Sequence, residues 1–149
     1  MLGDGERARK AACRLPRPCP APIAQCRSPA NKCASRESTL PPPKDWLAGP
    51  WDSRLAVSVG YATAGVDEPH LHTEITEIYL VARGASQLRV EQTTVELSAG
   101  DAVIIEPGEA HTFLWSSSEY LHFVIHTPGL AGRHAQSEKV AVLRSRLGL

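Results

Sequence analysis

His70 and His72 are separated by a single residue. In a β-strand, positions i and i+2 project from the same face, so this pair sets two imidazoles side by side on a rigid backbone. Two imidazoles held this way make half of a divalent-metal site. Glu77 lies five residues after His72. In one continuous strand that odd spacing would put its carboxylate on the opposite face. A turn around Thr73–Thr76 removes the objection, because a new strand resets the parity and Glu77 then points inward with Tyr79 and Val81. Glu74 is also near the histidines and falls in the turn. His111 follows the turn Glu106-Pro107-Gly108-Glu109 and opens the next strand, a possible fourth donor. Three imidazoles and one carboxylate suit one first-row divalent ion: Fe, Mn, Ni, Co or Zn. An octahedral ion with four protein ligands keeps two positions for water, dioxygen or a chelating substrate.

Four aromatic residues share parity with inferred inward positions: Tyr61, Tyr79, Phe113 and Trp115. They are the candidates to line a substrate pocket, and an aromatic pocket with few charges suits a small, partly apolar ligand. The plainer reading makes at least half of them ordinary core. His122 and His126 share a strand face with Tyr120 and Val124, opposite the apolar Leu121, Phe123 and Ile125. The preferred expectation exposes both histidines. If His122 points inward, it joins Glu106 as a candidate acid/base residue.

Short strands separated by turn residues must position these groups. Arg54–Tyr61 alternates in polarity, Ile75–Val81 is β-branched and aromatic, and Gln87–Val90 with Thr94–Leu97 reads as a hairpin. Ala102–Ile105, His111–Trp115 and Tyr120–His126 follow, separated by Gly- and Pro-bearing turns. Such spacing predicts an all-β antiparallel sandwich, jelly roll or small barrel. Val140, Leu143 and Leu147 recur at helical spacing, which allows a short helix over Gln136–Leu147.

The 149 residues carry 16 basic and 16 acidic side chains, so net charge argues for neither nucleic acid nor an anionic surface. The balance hides two unlike parts. Residues 1–44 hold nine basic and three acidic residues, eight of the twelve prolines and all four cysteines, but no aromatic residue. Such a segment buries too little apolar surface to offset its ordering entropy and reads as a disordered extension. Cys13, Cys19, Cys26 and Cys33 are six or seven residues apart, which is not zinc-site spacing. Residues 45–127 are the folded unit and 128–149 a C-terminal tail. No apolar run approaches the roughly 20 residues that span a bilayer, and no apolar h-region follows the basic N-terminus. The expected location is cytoplasmic, consistent with a folded part lacking cysteine.

The stretch Gly65-Val66-Asp67-Glu68-Pro69-His70-Leu71-His72, then Glu77, six residues and Gly84, resembles the first cupin motif. The stretch from Gly100-Asp101 through the apolar strand to Pro107-Gly108-Glu109-Ala110-His111 resembles the second. One residue fewer separates Gly65 from His70 than in the family pattern, and Glu106 stands where the family's turn proline falls, with Pro107 one step later. The resemblance, over roughly residues 46–127, implies a jelly-roll β-barrel of the RmlC-like kind enclosing one metal held by His70, His72, Glu77 and His111. It also implies a homodimer. Two functions are compatible with it: a dioxygenase- or isomerase-like metalloenzyme acting on a small oxygen-containing metabolite, and a non-catalytic binder or sensor using the same cavity. No DNA-binding helical domain accompanies the barrel.

Overall fold

Period-two alternation of buried side chains is the rule that builds this chain. The computed structural model describes residues 43–130 and 137–149; the N-terminal extension through residue 42, with its four cysteines, lies outside them. Ten strands follow in order: β1 (Lys44–Ala48), β2 (Ser58–Ala62), β3 (His70–His72), β4 (Thr76–Arg83), β5 (Ala85–Val90), β6 (Thr93–Ser98), β7 (Ala102–Ile105), β8 (His111–Ser116), β9 (Leu121–Thr127) and β10 (Lys139–Ala141). In β4 the residues Glu77, Tyr79 and Val81 are buried while Leu80 between them is exposed. The strands form two five-stranded antiparallel sheets, ordered β1-β2-β9-β4-β7 and β10-β3-β8-β5-β6. Their inner faces enclose a core that includes Val81, Leu88, Leu97, Ile105, Phe113 and Tyr120. Leu88 and Ile105 are fully buried, each contributing on the order of 2 kcal/mol of transfer free energy. This is the expected antiparallel jelly-roll barrel.

Three local expectations are corrected. Strand β2 is Ser58–Ala62, starting four residues later than the expected Arg54–Tyr61 and ending one later. Its ladder with β9 begins at Ser58↔His126, and Pro128, with no N–H to donate, follows the end of that partner strand. Register also reverses the expected faces of β2. Tyr61 pairs with Phe123 and Gly60 with Val124, which in turn pairs with the inward Tyr79. Directly opposed residues share a face, so Tyr61 is buried on the face of the sheet opposite to Tyr79.

Trp115 is displaced by a bulge. The β5–β8 ladder runs Leu88↔Phe113 and then Gln87↔Trp115, with Leu114 the extra residue. An inserted residue flips every side chain beyond it. Phe113 is therefore buried and Trp115 is 52% exposed.

The described residues 137–149 do not form one continuous helix. Lys139–Ala141 forms β10, pairing Lys139↔His72, Val140↔Leu71 and Ala141↔His70. Among the described residues, Ser137 and Glu138 are helical and Arg144–Leu147 forms a single 3-10 turn. An isolated helix of that length is marginal, whereas β3 offers an open edge of backbone donors and acceptors. Leu147 is fully buried, and its carbonyl accepts a hydrogen bond from Arg89 Nε at 2.8 Å. The described part of the supposed tail thus belongs to the barrel wall.

Candidate metal centre

The turn between β3 and β4 is real, and it is pinned from a distance in sequence. The Glu138 carboxylate accepts hydrogen bonds from the Thr73 N–H at 3.1 Å, the Thr73 hydroxyl at 2.7 Å and the Glu74 N–H at 2.8 Å. The Thr73 hydroxyl, foremost, holds the Glu138 carboxyl below its ordinary pKa. Ile75 is buried beneath the turn while Glu74 is exposed. Chain parity therefore resets between His72 and Glu77, and both face the interior. Because Glu138 shapes the turn joining two ligand strands, Glu138→Gln should weaken metal binding by roughly tenfold, within the range for outer residues of a metal site. Competition against a chelator measures this; unchanged affinity would separate the turn from the site.

The second turn does equivalent work for His111. Gly108 has φ of 85°, a left-handed value that glycine adopts without strain. Pro107 precedes it and the Glu109 N–H donates to the Glu106 carbonyl at 3.1 Å, as in a Pro-Gly type II turn. The Gly108 N–H donates to the His72 carbonyl at 2.7 Å, tying this turn to the end of β3. Across the sheet His70 pairs with His111.

The result is a buried cluster of His70, His72, Glu77 and His111 whose donor atoms all lie within 4.8 Å of one another. The expected four residues are brought together. Glu77 Oε2 is 2.9 Å from His111 Nε2 and 3.5 Å from His72 Nε2. Yet Oε2 receives no aligned hydrogen bond, and neither does the buried His72 Nδ1. Tautomers are constrained from behind. His70 Nδ1 lies 2.7 Å from the Glu68 carbonyl and His111 Nδ1 3.2 Å from the Glu109 carbonyl. A carbonyl only accepts, so each Nδ1 carries the proton, and in the neutral ring each Nε2 presents a lone pair. Lone pairs and a carboxylate oxygen converging without protons between them repel one another, and a cation at that point relieves the repulsion. The donor set fits a first-row divalent ion.

Without an ion, protons on the imidazoles take its place beside the carboxylate. Burial, then the field of His111, lowers the His70 pKa to about 4, which keeps the ring neutral and able to ligate. Burial alone would raise the Glu77 pKa, but the adjoining imidazoles of His111, His126 and His72 outweigh it and hold the carboxyl well below its ordinary value. Burial, followed by the Glu77 charge, pushes the Tyr79 phenol well above its ordinary pKa. Its hydroxyl therefore stays protonated, 3.3 Å from His111 Nε2.

The remaining candidates separate. Tyr79 borders the cluster. Phe113 stacks on His122, with ring centroids 5.3 Å apart and planes 10° from parallel. Tyr120 packs against both rings. These rings fill the barrel beyond Tyr79, and Phe113 packs in the core while also lining a pocket with Gly65 and Trp115. His122 is buried rather than exposed. It opposes Val81, four residues along β4 from Glu77, and its neighbours are aromatic rings rather than ligands. Glu106 is exposed at the rim, where it accepts a hydrogen bond from the Thr76 hydroxyl at 3.3 Å.

One residue that sequence reasoning placed at the surface is at the site. His126 opposes Glu77 across the β4–β9 ladder, and its Nε2 lies 2.9 Å from Glu77 Oε1. Trp46 of β1 lies edge-to-face on its ring at 4.8 Å. The signal available in the sequence was its shared parity with His122; which strand faced it was not readable.

A two-sheet antiparallel barrel with a three-histidine, one-glutamate cluster on its inner wall defines a class of protein. The sequence model of the Cupin domain family (Cupin_2) matches residues 57–127, and the chain belongs to the cupin superfamily. No curated protein sequence matches the chain. Among solved structures it is similar to ectoine synthase from P. lautus, with 17% identity, TM-score 0.53, and coverage of 67% of this chain and 75% of that one. It is also similar to Pac13 of Streptomyces, described as a nucleoside dehydratase, with 13% identity, TM-score 0.52, and coverage of 67% and 85%. KdgF from Halomonas sp. has 19% identity, TM-score 0.51, and coverage of 62% and 81%. At these identities the likeness is one of fold. Among the described residues no helix is long and apolar enough to cross a membrane.

Proposed function

We propose that this cupin binds one divalent metal ion through His70, His72, Glu77 and His111, and uses it as a small metalloenzyme on an oxygen-containing metabolite. The observation that carries the reading is the buried Glu77 Oε2, 2.9 Å from His111 Nε2 and without an aligned donor. An unsatisfied buried carboxylate oxygen costs several kcal/mol unless a cation completes it. Bound there, the ion supplies Lewis acidity, or a redox couple if it is iron.

The chain's own groups do the rest. The Glu68 and Glu109 carbonyls keep protons on His70 and His111 Nδ1 and orient both rings. The protonated Tyr79 hydroxyl is a hydrogen-bond donor beside the cluster. The stacked Phe113, His122 and Tyr120 rings fill the barrel beyond Tyr79. A titratable, donor-bearing surround of this kind favours the enzyme over a non-catalytic small-molecule binder, and two proteins sharing this fold carry enzyme names. Dioxygenase-like or isomerase-like chemistry is the proposed class. Elemental analysis of the purified chain tests the metal: one equivalent of Fe, Mn, Ni, Co or Zn per chain is expected, and its absence after reconstitution would end the metalloprotein reading.

A homodimer and a cytoplasmic place belong to the same proposal. The outer face of the first sheet carries Leu80, Ile104 and Phe123, 39%, 51% and 37% exposed. They neighbour Ile78 and Ile125 through the ladders Ile78↔Ile104, Ile78↔Ile125 and Leu80↔Phe123. A contiguous apolar face of this kind marks an association surface. Light scattering should report twice the chain mass for the wild type and the single-chain mass for Ile104→Asp. A monomeric wild type would refute the dimer.

A further inference from the structure

Every ligand-set carboxylate has two oxygens, and only one of the Glu77 oxygens faces the three ligand imidazoles. Oε2 approaches His111 and His72, while Oε1 is 2.9 Å from His126 Nε2. Nε2 of His126 is not among the donor atoms that gather within 4.8 Å; it addresses the far oxygen. The carboxylate oxygen can only accept, so this imidazole nitrogen donates. Its ring is itself held on two sides. Trp46 packs edge-to-face at 4.8 Å and His72 at 5.0 Å. Trp46 reaches this place because residue 60 is glycine: a Cβ there would stand 2.9 Å from the indole and 2.9 Å from the Asp45 carbonyl oxygen. Trp46, Gly60 and Val124 share a face of the sheet, so the β1 edge strand exists in register to lay the indole against His126.

We propose that His126 is a positioning residue of the metal centre: by donating from Nε2 to Glu77 Oε1 it fixes the carboxylate so that Oε2 alone is offered to the ion. This role rests on the metal reading above. It lies outside both cupin motifs of the chain. Residues that orient a ligand carboxylate typically change metal affinity by 10- to 100-fold when lost.

Four proteins, wild type, His126→Phe, His126→Gln and His111→Ala, each as the full chain, test it by competition titration with Zn²⁺ or Mn²⁺ against a chelator. His126→Phe keeps a ring for Trp46 but has no donor; metal affinity should fall at least tenfold. His126→Gln restores an N–H at about the same reach, so affinity should return to within about threefold of wild type. A second readout needs no metal: ring ¹⁵N resonances of the metal-free protein should show His126 Nε2 protonated. Wild-type affinity in His126→Phe overturns the role, as does an unprotonated Nε2. If His126→Gln instead loses metal as completely as His111→Ala, His126 is a ligand and not a positioning residue. If the wild type itself binds neither ion, the metal reading fails first and the role falls with it, an outcome distinct from a wild type that binds and a Phe variant that binds equally well.

Discussion

His111→Ala should leave the purified chain without its metal. The side chain is wholly buried, its Nε2 is the nearest approach to Glu77 Oε2, and its Nδ1 is committed to the Glu109 carbonyl. Alanine therefore removes one of four donors without leaving another nitrogen to replace it. The expected loss of affinity exceeds the 10- to 100-fold that removal of an orienting group costs, enough that metal does not survive purification. The wild-type chain, handled in parallel, should retain about one equivalent. Iron would direct assays toward dioxygen chemistry; zinc or manganese would shift them toward isomerase-like or hydrolytic chemistry. Equal metal in both proteins would place the ion elsewhere in the chain. The fold is expected to tolerate the change, since its core of Leu88, Ile105, Phe113 and Tyr120 is untouched; circular dichroism checks that the variant is folded.

The second large effect concerns acid stability. His122 sits among Phe113, Tyr79 and Tyr120, with no hydrogen-bond partner for Nδ1. Burial lowers its pKa from 6.5 to about 4, against the opposing pull of Glu77. Between those values the unfolded chain binds a proton that the folded chain refuses. Stability therefore rises with pH across the window and is lost as pH falls from 6.5 to 4. A shift of this size corresponds to about 3 kcal/mol at the acid end. Phenylalanine at this position keeps the stack on Phe113 and cannot titrate. His122→Phe should therefore lose less stability than wild type between pH 7 and pH 4, by up to about 3 kcal/mol. Denaturant unfolding of the metal-free proteins across that range measures it. His70 titrates in both proteins, so its contribution cancels in the difference. Parallel acid limbs would show that His122 is not the group responsible.

Much of this centre was legible in the residue order. His-x-His on a strand has one outcome for its two side chains, because alternation is a property of the backbone and not of the fold around it. The odd spacing to Glu77 demanded a turn, and Pro107-Gly108 announced the second turn that presents His111. The overall class followed in the same way, from short alternating segments punctuated by glycine and proline.

Tertiary structure alone decided what depended on who faces whom. Trp115 follows the alternation from His111 and was expected inside; one extra residue, Leu114, opposite β5 turned it out. Tyr61 was expected inside because the larger residues of its segment share its parity, but inward β2 positions are small, and Gly60 yields its space to Trp46. His126 was expected at the surface because nothing local distinguishes a solvent-facing histidine from one that meets a carboxylate 49 residues away. Glu138 likewise caps a turn 65 residues earlier. In the C-terminal segment, where the spacing of Val140, Leu143 and Leu147 allowed a short helix, Lys139–Ala141 became a strand because β3 had an unpaired edge. Local periodicity determines which side chains move together; the register of one strand on another, and the bulges that shift it, determine which of them reach the candidate metal centre.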